Sequence, residues 1–173
     1  MVDPSSPNPQ SRKSKPPRSL RSRALAALAR REYSRRELEA KLRPFTENPA
    51  EIPELLDDFE RRGWLSEARV VEQVLASRRR RFGAQRITHE LRGKGISEGA
   101  IGAARENLQD SEIAAARGVW QRKFKTAPTT AQERARHMRF LQGRGFSVDV
   151  IRKVVSGHLD DEADDNSGDN ADE

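Results

Sequence analysis

One seven-residue phrase occurs twice in this chain. Leu91-Arg92-Gly93-Lys94-Gly95-Ile96-Ser97 matches Leu141-Gln142-Gly143-Arg144-Gly145-Phe146-Ser147 in character at every position, at an offset of 50 residues. In each copy a leucine is followed by two glycines, a large apolar residue and a serine. Glycine enters the left-handed conformation without a Cβ penalty, so it stops a helix. The apolar residue packs back onto the finished turn, and the serine oxygen caps the helix that follows. The same plan is traceable upstream. Leu42 precedes Leu91 by 49 residues, and Ser34 to Leu42 repeats the spacing of Gly83 to Leu91. A period of this size implies repeated helical modules that share cores with their neighbours. No stretch shows strand-like alternation, so the fold class is all-α.

Apolar spacing divides the chain into three such units. Residues 19–65 form the first. Leu20, Ala24, Leu25, Ala27 and Leu28 suit a helix to about Arg31, and Ser34 with Glu37 makes a capping box for the next. Ile52, Leu55, Leu56 and Phe59 then mark one face of a third helix. Gly63 stops it, and the Trp64 ring is expected to be buried in a packed corner. Ser66 caps the second unit, residues 66–109. Its first helix runs from Glu67 to about Arg81, followed by short helices around Ile87–Leu91 and Ile101–Leu108. The third unit, 110–159, is expected to open with a new helix at Ser111 that carries Ile113, Ala116 and Trp120. Two further helices follow, around Met138–Leu141 and Val150–Val155. The total is about nine helices in an elongated array. Residues 1–18, with five prolines among basic and polar residues, are expected to be a disordered arm, and 160–173 a disordered acidic tail.

Charge narrows the function. The 33 Lys and Arg exceed the 27 Asp and Glu. Eight of those acids stand in Asp160–Glu173 with no base among them, so residues 1–159 carry +14. Such a body is suited to an acidic partner, either nucleic acid or an acidic protein surface. The chain has no cysteine, which rules out disulfides and thiolate metal sites. No run reaches the apolar length of a membrane span, and the N-terminus lacks the apolar core of a signal peptide. The expectation is a soluble, cytoplasmic monomer.

The segments Ser34-Arg35-Arg36-Glu37-Leu38, Gly63-Trp64-Leu65-Ser66-Glu67 and Gly83-Ala84-Gln85-Arg86-Ile87 stand in an order and spacing that resemble the RecX regulatory proteins of bacteria. So do Glu90-Leu91 with Lys94-Gly95-Ile96, and the closing Arg144-Gly145-Phe146-Ser147 with Ile151. The resemblance covers roughly residues 20–158. It departs at Ser66, where the family more often has an acidic residue or Asn, and at Val70 and Val71, where an aromatic is common. It implies tandem three-helix repeats and a regulator without chemistry. RecX proteins bind the RecA recombinase, lie along the groove of the RecA–DNA filament, and restrain its ATPase, strand-exchange and co-protease activities.

The candidate contact residues are basic clusters. Arg78, Arg79, Arg80 and Arg81 are consecutive, and on a helix they splay around most of its circumference. Arg86, Arg92 and Lys94 could extend them, and Arg122, Lys123 and Arg144 belong to a second basic run. Each cation taken singly is equally well a solvated charge. As groups they suit phosphate, through counterion release, and carboxylates, which arginine grips bidentately. No catalytic constellation, cofactor loop or metal cluster is evident. His89, His137 and His158 stand far apart and read as surface or capping residues. The alternative is a helix-turn-helix-like protein acting directly on duplex DNA. Gln85–Ala104 has that outline, but the helix Ser97–Leu108 offers only Arg105 and Asn107 as base-reading groups.

Overall fold

Among the described residues, eight α-helices build three three-helix units, because one helix serves two of them. The computed structural model describes residues 18–164, with side chains through Ser156. The helices are α1 (Leu20–Leu28), α2 (Arg35–Leu42), α3 (Glu51–Arg61), α4 (Glu67–Arg78), α5 (Ala84–Gly93), α6 (Glu98–Lys123), α7 (Ala131–Gln142) and α8 (Val148–Asp164), with a short 3-10 turn at Arg43–Phe45 after α2. There is no strand among the described residues. The expected disorder of the two ends falls on residues outside this range, except that α8 carries the backbone on through Asp160–Asp164.

The expected break at Ser111 does not occur. Between Gly102 and Gly118 there is neither glycine nor proline to stop a helix. The Ser111 hydroxyl bonds back to the carbonyl of Leu108 at 3.3 Å instead of capping a new start. The third helix of unit two and the first of unit three are therefore one 26-residue rod, α6, about 39 Å long.

Each unit closes over its own apolar cluster. Leu38, Leu42, Ile52, Leu56 and Phe59 centre the first. Val70, Ile87, Leu91 and Ile101 centre the second, and Trp120, Leu141, Phe146 and Ile151 the third. In the twice-occurring phrase only the second glycine makes the stop. Gly95 and Gly145 take φ of +77° and +82°, as Gly63 does at +68°. Gly93 is the last helical residue of α5, and Gly143 stays right-handed at φ −62°.

Neighbouring units join at one recurring place. The start of the second helix in one unit rests on the glycine turn of the next. Between units one and two, the Ser34 hydroxyl donates to the Lys94 carbonyl at 2.6 Å, and the Lys94 ammonium meets Glu37 at 2.8 Å. Ser34 also completes its capping box with Glu37. Burial alone would raise the Glu37 pKa. Hydrogen bonds from Lys94, the Ser34 amide and Arg31 outweigh it and hold the carboxyl at about 2.

Between units two and three, Gly83 takes the place of Ser34, and the backbones meet directly. Gly83 N–H donates to the Arg144 carbonyl at 3.0 Å and Gln85 N–H to the Gly145 carbonyl at 3.2 Å. Glu112 on α6 accepts from Ala84 N–H at 2.8 Å. Three of the donors at the start of α5 are thus satisfied by unit three, which takes over the part of a capping side chain at position 83.

Trp64 is not buried in the corner. Leu65 turns inward at 4% exposure while Trp64 stays 39% exposed. The chain reverses tightly at Gly63, and both Trp64 and Leu65 N–H donate to the Phe59 carbonyl. That leaves only one of the two side chains facing the core. The Trp64 ring meets Phe59 edge-on at 5.3 Å, with the guanidiniums of Arg21 and Arg62 at 5.3 and 5.2 Å. Trp64→Ala is expected to lower stability by only about 1 kcal/mol, since an edge contact and exposed cation–π pairs are what it removes. A loss above about 3 kcal/mol in chemical denaturation would show the ring to be part of the core.

Candidate functional site

Three helix ends converge on a strongly basic surface. α4 stops at Arg78, earlier than the expected Arg81. Arg81 and Phe82 N–H both turn back to the Arg78 carbonyl. Arg80 and Arg81 therefore lie in the turn before α5 and are not splayed around a helix. Arg122 and Lys123 form the last turn of α6, and Arg144 lies in the turn after α7. Cations at these places are locally favoured, since the C-terminal end of a helix carries partial negative charge. The fold then collects them. Arg80, Arg81, Arg122, Lys123 and Arg144 surround one open concavity of about 610 Å³, with Val119 and Phe140 in its lining.

Two contacts fix its geometry. An Arg122 guanidinium N–H donates to the Arg80 carbonyl at 3.3 Å, tying α6 to the α4–α5 turn. The Arg144 guanidinium lies 4.8 Å from the Phe140 ring. Arg80 and Arg122 also border an adjoining hollow of about 290 Å³, where Arg79 faces Ser111, Ala114, Ala115 and Gly118 of α6. Small residues there let the turn approach the rod. Among the described residues no carboxylate forms an ion pair with Arg79, Arg80, Arg81, Arg122, Lys123 or Arg144.

The remaining candidates lie elsewhere. Arg78 is paired with Glu90 at 3.0 Å, Arg92 with Glu98 at 2.8 Å and Lys94 with Glu37 at 2.8 Å. Arg86 covers the Phe82 ring at 4.4 Å and donates to the Gly143 carbonyl at 3.4 Å, at the unit two–three junction. Of the two sequence runs, the fold thus joins the end of the first to the far side of the second. Phe140 and Val119, which complete the lining, carry no mark in the sequence that distinguishes them from ordinary core residues.

Phe140 leads into an aromatic stack. Phe124 meets it edge-on at 5.3 Å and stacks on His137 at 3.6 Å. Trp120 Nε1–H donates to His137 Nδ1 at 3.3 Å. His137 is therefore a buried acceptor, 6% exposed, not the surface or capping residue expected. Its role needs the neutral ring, and burial accordingly lowers its pKa from the ordinary 6.5, against the pull of Glu133 and assisted by Arg136.

A folded-state pKa below the unfolded one means that the unfolded chain takes up the proton first, so stability is lost as pH falls. The melting midpoint is expected to drop in two stages. The first begins as pH falls through 6.5, from His137. The second begins below 4.5 and continues towards 2, led by Glu37. His137→Gln, which keeps an acceptor for Trp120, should remove the first stage alone. A midpoint that is flat from pH 7 to 5 in the parent chain would contradict the neutral buried ring.

No group of three or more metal-ligating side chains occurs among the described residues. No described helix is long and apolar enough to cross a membrane.

Comparison with known proteins agrees with this arrangement. Residues 66–104 match the family description "RecX, second three-helix domain" and residues 110–155 match "RecX, third three-helix domain". A Regulatory protein RecX of Leptothrix cholodnii is 48% identical over 141 residues, covering 82% of this chain and 90% of the relative. That of Ralstonia nicotianae is 42% identical over 141 residues, covering 82% and 89%. The crystal structure of RecX from Lactobacillus salivarius superposes with a TM-score of 0.71 at 19% identity, covering 82% of this chain and 94% of that one. With three helical units, the repeated glycine turn and relatives this similar over nearly their whole length, the chain belongs to the RecX family of regulatory proteins.

Proposed function

We propose that this protein binds the RecA recombinase and the filament RecA forms on DNA, and that it restrains the filament's ATPase, strand-exchange and co-protease activities. The observation that carries the proposal is the concavity at the unit two–three junction. Five cations face one opening there without carboxylate partners among the described residues. A filament groove presents two kinds of anion, DNA phosphate and protein carboxylate, and a cluster rich in arginine suits both. The protein acts by occupying surface, as a cytoplasmic monomer without catalytic chemistry of its own. Bare DNA is bound weakly, with steep salt dependence and no sequence preference, as phosphate contacts alone provide.

ATP hydrolysis by the cognate RecA on single-stranded DNA, followed with and without the protein, tests this directly. Hydrolysis is expected to slow as the protein is titrated in. An unchanged rate at saturating protein would remove the proposal.

A further inference from the structure

Unit one takes no part in the concavity, yet it holds a large ring in solvent on a fixed stem. Trp64 is 39% exposed, and its backbone is tied on both sides. Its N–H donates to the Phe59 carbonyl at 2.8 Å. The Arg69 guanidinium donates to the Gly63 carbonyl at 2.9 Å and to the Trp64 carbonyl at 3.1 Å, and is itself anchored on Glu32 at 2.9 Å. Two more guanidiniums stand beside the ring, Arg21 at 5.3 Å and Arg62 at 5.2 Å from its centroid. Asp58 holds both, at 3.0 and 2.9 Å, and a third, Arg61, at 3.6 Å. Three cations on one carboxylate leave the surroundings of the ring positive. The Tyr33 and Phe45 rings of the same unit each have a guanidinium at contact distance instead, Arg31 at 3.6 Å and Arg23 at 3.9 Å. At Trp64 the cations stand further off.

We propose that Trp64 is a stacking platform for an unpaired base of single-stranded DNA, with Arg21, Arg61 and Arg62 facing the phosphates on either side of that base. A nucleotide brings a π-face and an adjoining anion, and this corner offers a ring and adjoining cations. An apolar side chain of a protein partner would need a hollow to enter, and the apolar neighbours Phe59 and Leu65 are closed into the core at 0% and 4% exposure. Every base has a π-face, so the contact is indifferent to sequence. Duplex DNA keeps its bases paired and is left with phosphate contacts only. This is a second site, with no residue of the concavity in it, and it needs neither the concavity nor the recombinase.

The chain's two tryptophans, Trp64 and Trp120, give the first test. Trp120 is buried at 2% exposure, so a stacked base should quench Trp64 alone. Oligothymidine titrated into the full chain at low salt is expected to lower tryptophan emission, and an abasic strand of the same length to leave it unchanged. Emission from Trp64→Phe should stay constant with either strand. No quenching, equal quenching by the abasic strand, or quenching that persists in Trp64→Phe would overturn the proposal. The second test is affinity for labelled oligothymidine, on variants whose helix content matches the parent by circular dichroism. Trp64→Leu, apolar but without a π-face, should bind about tenfold weaker, and Trp64→Phe within about threefold of the parent. All three should bind the abasic strand alike. Equal affinity of Trp64→Leu and the parent for oligothymidine would overturn the proposal, and a loss of RecA restraint in that same variant would assign the ring to a protein contact. Neither binding measurement contains RecA, so the stacking site and the recombinase reading fail separately.

Discussion

Gly83→Ala is expected to destabilise the protein by about 3 kcal/mol, at the upper end of what overpacking usually costs. The ordinary expectation has the opposite sign. Gly83 sits at φ −77° and ψ 167°, open to any residue. Replacing glycine in an allowed conformation usually stabilises by about 0.4–1 kcal/mol, through the unfolded chain. Here a Cβ would lie 2.2 Å from the Gly145 carbonyl oxygen and 2.4 Å from both Gly145 C and Phe146 N. All three are backbone atoms, so no rotamer change relieves the contact. The α5 start or the turn at Arg144–Phe146 must move, and the hydrogen bonds of Gly83 and Gln85 across the junction stretch with it. Gly102→Ala is the control. It lies within α6, and a Cβ there meets nothing within 4 Å. It should stabilise by up to about 1 kcal/mol through helix propensity. Urea denaturation of both variants reads the two signs. A Gly83→Ala midpoint at or above the parent's would refute the close backbone approach.

Joint charge reversal at Arg81, Arg122 and Arg144 should weaken the restraint of RecA hydrolysis about tenfold or more, with helix content unchanged. The three residues come from three separate helix ends but border the same opening. Reversal therefore places glutamates where phosphate or carboxylate would sit, and counterion release is lost along with the attraction. None of the three is in an ion pair among the described residues, so what the fold loses is the Arg122 hydrogen bond to the Arg80 carbonyl and the Arg144 contact with the Phe140 ring. Arg92→Gln is the comparison. Arg92 is spent on Glu98 at 2.8 Å, and an exposed pair of this kind contributes little to stability. Its removal should leave the restraint nearly intact. A protein that reads duplex sequence would behave differently, selecting a consensus from random duplexes about a thousandfold over other DNA and leaving RecA hydrolysis untouched. Selection and hydrolysis assays run on the same preparation separate these outcomes.

The fold was largely legible because its punctuation is local. Caps such as Ser34, Ser66, Ser97 and Ser147 accept from amides three residues on, and helix stops such as Gly145 need one backbone conformation. Both can be read from short strings. What escaped depends on contacts distant in sequence. Ser111 is the exception: the local sign was there, since no glycine or proline stands between Gly102 and Gly118 and its hydroxyl bonds to a carbonyl only three residues back. Trp64 and Leu65 are adjacent and both apolar, and only the geometry of the turn decides which goes inside. The candidate site divided in the same way. The basic runs were visible as strings. Which members meet depends on three helix ends brought together by the Gly83–Gly145 approach, while Arg78, Arg92 and Lys94 found carboxylates at positions 90, 98 and 37.

The single rod α6 also sets how the molecule comes apart. Units two and three cannot open separately without breaking a continuous helix, so they form one cooperative block. Unit one is joined to that block through a tight link at Gly63–Ser66 and polar contacts such as Glu37 with Lys94 and Glu32 with Arg69. Water can replace polar contacts at little cost, whereas shared apolar packing cannot be replaced so readily. Amide protons of α1–α3 should therefore exchange through a partial opening at lower free energy, and those in the middle of α6 only with complete unfolding. The chain has three repeats in its sequence but two units of opening: a detachable front third and an indivisible remainder.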